Sequence, residues 1–335
     1  MTRVAAIDCG TNSIRLLIAD GNAADGNAAA VDAAAATTPD PGNDGGTPRL
    51  SDIVREMRVV RLGQGVDATG ELAREALDRT FAAAEDYAEL IRRHGAGKVR
   101  FVATSATRDA RNRQVFVDGI RGILGVEPEV ITGDEEAALS FAGASSVLPS
   151  RGADPVLVVD LGGGSTEFVL GDAGGVIAAR SVDVGCVRMT ERHLRSDPPT
   201  AEQIAAAEAD VDAAITEAAL LVPLERATAV VGVAGSVTTI TAHALGLPEY
   251  SPAAIHGSEL SLAAVREACT ELLGMSRAER AALPYMHPGR VDVIGAGALI
   301  WRRVLERLAD VTDGRITTAV ASEHDILDGI ALSIS

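Results

Sequence analysis

The sequence predicts an α/β protein of two related halves that face each other and share one ligand between them. Length is the first reason: 335 residues exceed the size at which one hydrophobic core stops growing, and a hydrophobic content of 47% is ample for two. The second is the stretch Val156 to Asp172, VLVVDLGGGSTEFVLGD, where two apolar runs flank a glycine turn as two buried strands joined by a tight loop would. The third is its copy. Val4 to Asp20, VAAIDCGTNSIRLLIAD, slides onto that stretch at one constant offset, pairing Asp8 with Asp160, Gly10 with Gly162, Ser13 with Ser165 and Asp20 with Asp172. An Asp-x-Gly hairpin that occurs twice implies a duplicated unit with a ligand between the copies.

The turn itself suggests the ligand. Gly162, Gly163 and Gly164 remove every Cβ from it, so its backbone N–H groups can converge on an anion such as phosphate. Asp160 and Glu167 flank this nest, and two carboxylates beside a phosphate make most sense with a divalent cation between them.

Composition narrows the class. A net charge of −17 and an aromatic content of 3% disfavour nucleic acid as a partner, so a polyanionic ligand needs a local basic cluster. Lys98 is the only lysine, which excludes a Walker-type P-loop and leaves phosphate to arginine forks and backbone amides. Cys9, Cys186 and Cys269 have no CxxC spacing and fit a reducing compartment; Cys9 reads as a small buried hydrophobe. No apolar run approaches the roughly 20 residues of a membrane span, and the first strand begins without a leader. A cytoplasmic protein with no membrane partner is the expectation.

In order along the chain, Gly21 to Leu50 is rich in Ala, Gly, Asn, Asp and Pro without apolar periodicity and reads as a flexible insertion in a surface loop. Ile53 to Leu62 returns to a strand pattern, and Glu71 to His94 carries apolar residues at spacings of three and four, an amphipathic helix. Val99 to Ala103 is a short strand feeding Thr104 to Asn112, where Arg108 and Arg111 lie three apart; they form either a phosphate clamp or a solvated pair, and Arg113 and Arg121 extend the basic region. Glu129 to Thr132 is another strand. Gly133 to Ala137 opens a helix whose acids suit its dipole, while one glutamate could serve as a general base; spacing does not choose between Glu135 and Glu136.

Ala178 to Val184 reads as a strand, and Thr200 with Gln203 as the capping box of an alanine-rich helix. Ala229 to Ala234 is a buried strand, and Gly235 and Ser236 open a third turn able to hold an anion or a ribose. The histidines lack metal-ligand spacing. Ser276 and Glu279 cap a short helix, His287 to Asp292 precede an apolar helix with Gly295 and Gly297, and a strand from Ile316 and a helix from about Glu323 end the chain.

Assembled, these segments resemble the exopolyphosphatase and guanosine pentaphosphate phosphatase (Ppx/GppA) family of the acetate and sugar kinase, Hsp70 and actin superfamily. The matching motifs are Asp8 to Ser13 with Arg15, Ala103 to Asn112, Gly133 to Ala137, Asp160 to Glu167, Gly185 to Arg188, Ala234 to Thr239 and Gly289 to Gly297, in the family's order over nearly the whole chain. The resemblance is to the short actinobacterial form without a C-terminal helical extension.

It implies a two-domain actin-like ATPase fold with the active site in the interdomain cleft. Residues 1–128 would form the first lobe, 129–311 the second, and 312–335 would pack back on the first. It further implies Glu136 as catalytic base, Arg108 on the reacting phosphoryl group, and Asp160, Glu167 and Asp8 around Mg²⁺ or another divalent cation. Gly10, Thr11, Asn12, Ser13, Arg15, Gly162, Gly163, Gly164, Ser165, Gly235 and Ser236 would cradle phosphates.

The activity so implied is release of terminal orthophosphate from inorganic polyphosphate, with the 5′-phosphate of guanosine pentaphosphate (pppGpp) as the alternative target. A sugar or acetate kinase needs an acceptor site, against which the water-activating GDEEA segment argues; a non-catalytic alarmone sensor is disfavoured by the intact acid and arginine set. A homodimer is the default oligomer, with no interface specified.

Overall fold

The computed structural model describes residues 2–22, 49–144 and 154–335. Most of the expected insertion, 23–48, lies outside the described residues. Its two ends do not belong to a loop: Gly21 pairs with Leu50 in a strand ladder, because the hairpin continues past the point where apolar patterning fades.

Two sheets organise the described residues. The first holds β1 (Thr2–Cys9), β2 (Ser13–Asn22), β3 (Arg49–Val59), β4 (Lys98–Ala103) and β5 (Glu129–Val130), in the order β3-β2-β1-β4-β5. The second holds β6 (Val156–Leu161), β7 (Thr166–Asp172), β8 (Gly175–Val182), β9 (Ala229–Val233), β10 (Glu259–Ser261) and β11 (Thr318–Ala321), in the order β10-β11-β9-β6-β7-β8. Read from β8, the second sheet repeats the path of the first and adds β10 at its edge. In both, a hairpin is followed by a strand parallel to its first member: β4 beside β1, and β9 beside β6. The repeat visible in two loops is thus a repeat of whole sheets, the duplication of one α/β unit.

Two sequence boundaries shift. β5 pairs with β4, so the first sheet extends past residue 128. β11 pairs with β9 and β10, so of 312–335 it is the helix Ile326–Leu332 and the residues flanking it, not the strand, that return to the first sheet.

Period-two alternation decides what each sheet face meets. In β1, Ala5, Ile7 and Cys9 point into a core with Leu77, Tyr87 and Ile91 of the helix Arg74–His94 and Phe116 and Ile120 of the helix Arg113–Leu124. Val4 and Ala6 face the opposite way, toward Leu139 and the Ile326–Leu332 helix. In β6, Leu157, Val159 and Leu161 join the large core under the helices Ala201–Ala219 and Ile294–Val311, whereas Val156 and Val158 meet Ala137 and Phe141 of the helix Gly133–Ala144. Asp8 and Asp160 continue the Val4, Ala6 and Val156, Val158 parities. Both acids therefore aim at the helix pair between the sheets.

That pair crosses backbone to backbone. A Cβ at Gly143 would lie 1.7 Å from the Asp325 carbonyl oxygen, and one at Gly329 2.0 Å from that of Leu139. The two glycines let the Gly133–Ala144 helix and the C-terminal helix approach closely enough to bring Glu136 and Asp325 to one place.

Candidate active site

The two glycine hairpins have the same geometry. Gly10 N–H donates to the Ser13 carbonyl at 2.9 Å, and Gly162 N–H to that of Ser165 at 3.1 Å. Across each hairpin the acid faces a charged partner one strand away: Asp8 opposite Arg15, Asp160 opposite Glu167. The duplicated positions therefore carry opposite charge on one wall and like charge on the other.

The loops touch. Thr11 Oγ1 and Ser105 Oγ are 2.9 Å apart, and a Cβ at Gly164 would lie 2.6 Å from the first and 2.7 Å from the second. Gly164→Ala should therefore push the glycine walls apart, lowering unfolding free energy by about 1–3 kcal/mol and reducing turnover; unchanged thermal denaturation and activity would contradict this packing.

Between the walls is a cavity of about 110 Å³. Of the phosphate-cradle candidates, Gly10, Thr11, Asn12, Ser13, Arg15, Gly162, Gly163, Ser165, Gly235 and Ser236 line it, together with Asp8, Asp160 and Glu136. Gly164 is instead behind it, against Thr11 and Ser105. Glu167 is 1% exposed beside Asp160 and accepts from Ser181 Oγ at 2.7 Å. Arg15 lines the cavity, but its guanidinium is committed to Asp8, at 2.9 and 2.6 Å, and to Asp325.

Glu136 and Glu135 part company. Glu136 is 7% exposed and faces the cavity, where Arg108 Nη1 donates to its Oε2 at 3.0 Å. Glu135 is exposed and pairs with Arg100. Arg108, which also donates to the Ile131 carbonyl, does not line the cavity. The expected clamp with Arg111 does not form, because the helix Ser105–Asp109 ends before it; Arg111 reaches Thr69 and Glu71 instead. Arg113 and Arg121 are exposed, and Arg121 pairs with Asp118 and Glu127, so neither gives the cavity a basic landing area.

Three site residues carried no assignment from sequence. Ser140, one helical turn beyond Glu136, donates to Asp160 Oδ2 at 2.5 Å, and an i, i+4 pair on a helix opened by GDEEA is the signal that marks it. Arg290, within the His287 to Asp292 segment, lines the cavity and donates to Thr239 at 3.0 Å. Asp325 caps the last helix by accepting from Leu327 N–H at 3.0 Å while holding Arg15, and its Asp-x-x-Asp capping box is legible in the chain.

Burial makes this cluster electrostatically costly. It raises the Glu136 carboxyl to about 7 against the pull of Arg108, with Asp160 and Asp8 adding to the rise. Burial also raises Asp160 to about 7, with Asp325 next in effect, and moves Asp8 and Glu167 upward. Asp8 Oδ1 is buried with no hydrogen-bond partner. Among the described residues no three His, Cys, Asp or Glu side chains converge as a ready-made metal cage. A divalent cation beside substrate phosphates is commonly held by one or two carboxylates. An orphaned carboxylate oxygen amid raised acids fits such a cation.

These shifts fix a pH dependence. Acids with raised folded-state values bind protons more tightly folded than unfolded, so their contribution to stability is full below the ordinary values of 3.8 and 4.5 and is lost as pH rises through about 7. Without divalent cation, their contribution to melting temperature should fall between about pH 5 and pH 8, and added Mg²⁺ should raise it more at the upper end. A Mg²⁺ shift independent of pH in thermal denaturation would rule out binding at this cluster.

The comparisons agree with this architecture. The sequence matches the Ppx/GppA phosphatase family over residues 42–334. It is 50% identical to a protein named Exopolyphosphatase 2 from Mycobacterium tuberculosis (strain CDC 1551 / Oshkosh) over 340 residues, covering 100% of this chain and 99% of that one. The crystal structure of an exopolyphosphatase-like protein superposes with a TM-score of 0.87 at 47% identity, covering 99% of this chain and 98% of the other. A Ppx/GppA family member from Aquifex aeolicus gives 0.73 at 26% identity, over 99% and 97%. A guanosine-5′-triphosphate,3′-diphosphate pyrophosphatase from Photobacterium profundum is 36% identical over 165 residues, 49% of this chain and 32% of its own length. With the duplicated sheets, the paired glycine hairpins and a match that spans most of its length, the chain belongs to the Ppx/GppA phosphatase family.

Proposed function

We propose that the protein is an exopolyphosphatase, a phosphoric anhydride hydrolase that releases orthophosphate from the end of inorganic polyphosphate by attack of water. The observation that carries this reading is the convergence on one cavity of two glycine hairpins, the buried acids Asp8 and Asp160, and Glu136. The full-length relative named Exopolyphosphatase 2 supports the substrate.

In this reading the hairpin backbones at Gly10 to Ser13 and Gly162 to Ser165 seat the terminal phosphates, and Ser236 and Gly235 close the third side. Glu136 takes a proton from the attacking water, for which burial has brought its carboxyl into the right range. Arg108 holds that carboxylate through its ion pair and so acts from behind it, orienting the base. The water oxygen bonds to the terminal phosphorus, the bridging P–O bond breaks, and the shortened chain leaves with the negative charge. Asp8 and Asp160, with Glu167 behind them, would hold Mg²⁺, which when bound neutralises charge on the phosphates and so favours phosphoryl transfer. Ser140 fixes the orientation of Asp160.

We place the lobes on either side of this cavity and the protein in the cytoplasm, a setting that the free, buried thiols of Cys9, Cys186 and Cys269 suit. A substrate panel tests the function: long polyphosphate should release orthophosphate faster than pppGpp, and ATP should yield little, all in a Mg²⁺-dependent manner. Faster release from pppGpp would shift the assignment to the nucleotide.

A further inference from the structure

A second cavity, about 170 Å³, is walled by Thr190, Arg195, Asp197, Arg277, Arg280, Gly295 and neighbours. It shares none of its walls with the cleft, although Ile294, in the cleft wall, directly precedes Gly295. Its distinguishing feature is Arg280, only 5% exposed. Its Nε and Nη2 donate to the Met275 carbonyl at 3.1 and 2.8 Å, and its Nη1 to that of Val291 at 3.1 Å. Three of the five guanidinium N–H donors are thus used, and among the described residues no carboxylate stands within ion-pair distance. A buried charge is ordinarily paired, because desolvation is otherwise uncompensated. Burial lowers its pKa, and the charges of Asp197 and Asp292, both beyond ion-pair distance, offset this only in part.

The acids nearby are already engaged. Asp292 is held by Arg61 at 2.7 Å and Arg277 at 2.9 Å, and Asp197 accepts the Arg277 backbone N–H at 2.7 Å. Arg195 is exposed and spends Nε on the Glu191 carbonyl at 3.2 Å. Three arginines against two engaged aspartates make the cavity locally positive in a chain of net charge −17. The size, the buried guanidinium and the adjacent Ser196 hydroxyl match a small tetrahedral oxyanion.

We propose that this cavity binds a phosphate group, held by Arg280 and Arg195, at a site separate from the cleft. Free orthophosphate and the end of a short polyphosphate chain share this chemistry. The assignment does not depend on the reaction proposed above.

The test titrates the metal-free full-length protein with inorganic orthophosphate and, separately, tripolyphosphate by calorimetry. Saturable binding is expected, weakened about tenfold or more in Arg280→Gln and about fivefold in Arg195→Glu, an exposed position whose circular dichroism should match the parent. Orthophosphate binding identifies the free anion as ligand, and binding of tripolyphosphate alone identifies a chain end. Crystals soaked in tungstate should show an anomalous peak against Arg280. Equal affinity in all three proteins, tungstate confined to the cleft, or a tungstate peak without saturable binding in solution would each overturn the proposal. Where Arg280→Gln does not fold, Arg195→Glu and the unsubstituted protein's map decide.

Discussion

Glu136→Gln should lower polyphosphate turnover by about 10²–10⁴-fold while leaving substrate affinity close to that of the parent. The amide keeps the shape and still accepts a hydrogen bond from Arg108 Nη1, now 3.0 Å from Oε2, but it cannot take a proton from water. Because the exchange also removes a buried charge near Asp160 and Asp8, the variant should melt no lower than the parent at neutral pH. Single-turnover measurements with polyphosphate read the chemical step directly, and an unchanged rate there would remove Glu136 from the role of base. Glu135→Gln is the control. Its side chain pairs with Arg100 on the surface, so turnover should stay near that of the parent.

The second large effect is expected from Asp160→Asn. Asp160 is 6% exposed at the end of β6, held by Ser140 and facing the same cavity as Asp8. Losing its charge removes a share of cation binding that is worth several kcal/mol in such sites, and each 1.36 kcal/mol is tenfold, so turnover should fall about 10³-fold. The Mg²⁺ concentration giving half-maximal rate should rise with it. A rate loss with an unaltered Mg²⁺ dependence would separate Asp160 from the cation and leave it a structural acid. Ser140→Ala, which frees the Asp160 carboxylate to turn, should shift the same Mg²⁺ dependence by about 10–100-fold at constant fold stability, and rescue by threonine would tie the effect to the hydroxyl.

Much of this was legible in the chain because the signals are local. The repeat that aligns Asp8 with Asp160 is a backbone requirement: both copies need a glycine where the hairpin turns and an acid two residues before it, so one geometry left one pattern twice. The capping boxes at Thr200, Ser276 and Asp325 depend on residues three apart, and the first two were readable as such. What local patterning missed lies where distant segments meet. Arg108 and Arg111 look equivalent in sequence, yet the Ser105–Asp109 helix ends between them, leaving one on Glu136 and the other at the surface. Strand β11 reads as part of a segment returning to the first lobe, but only pairing with β9 and β10 shows it to be in the second sheet.

The duplicated α/β plan, the two glycine hairpins and the set of residue types that a phosphohydrolase needs are written in the chain, since each follows from spacing within a few residues. Which of them converge depends on how distant segments pack. Strand parity and the glycine crossing of Gly143 and Gly329 bring Glu136, Asp8, Asp160 and Asp325 together from segments far apart in the chain. The reason is physical: charges that repel one another in a buried site are held together only by packing elsewhere, and packing between distant segments leaves no periodic trace in the sequence.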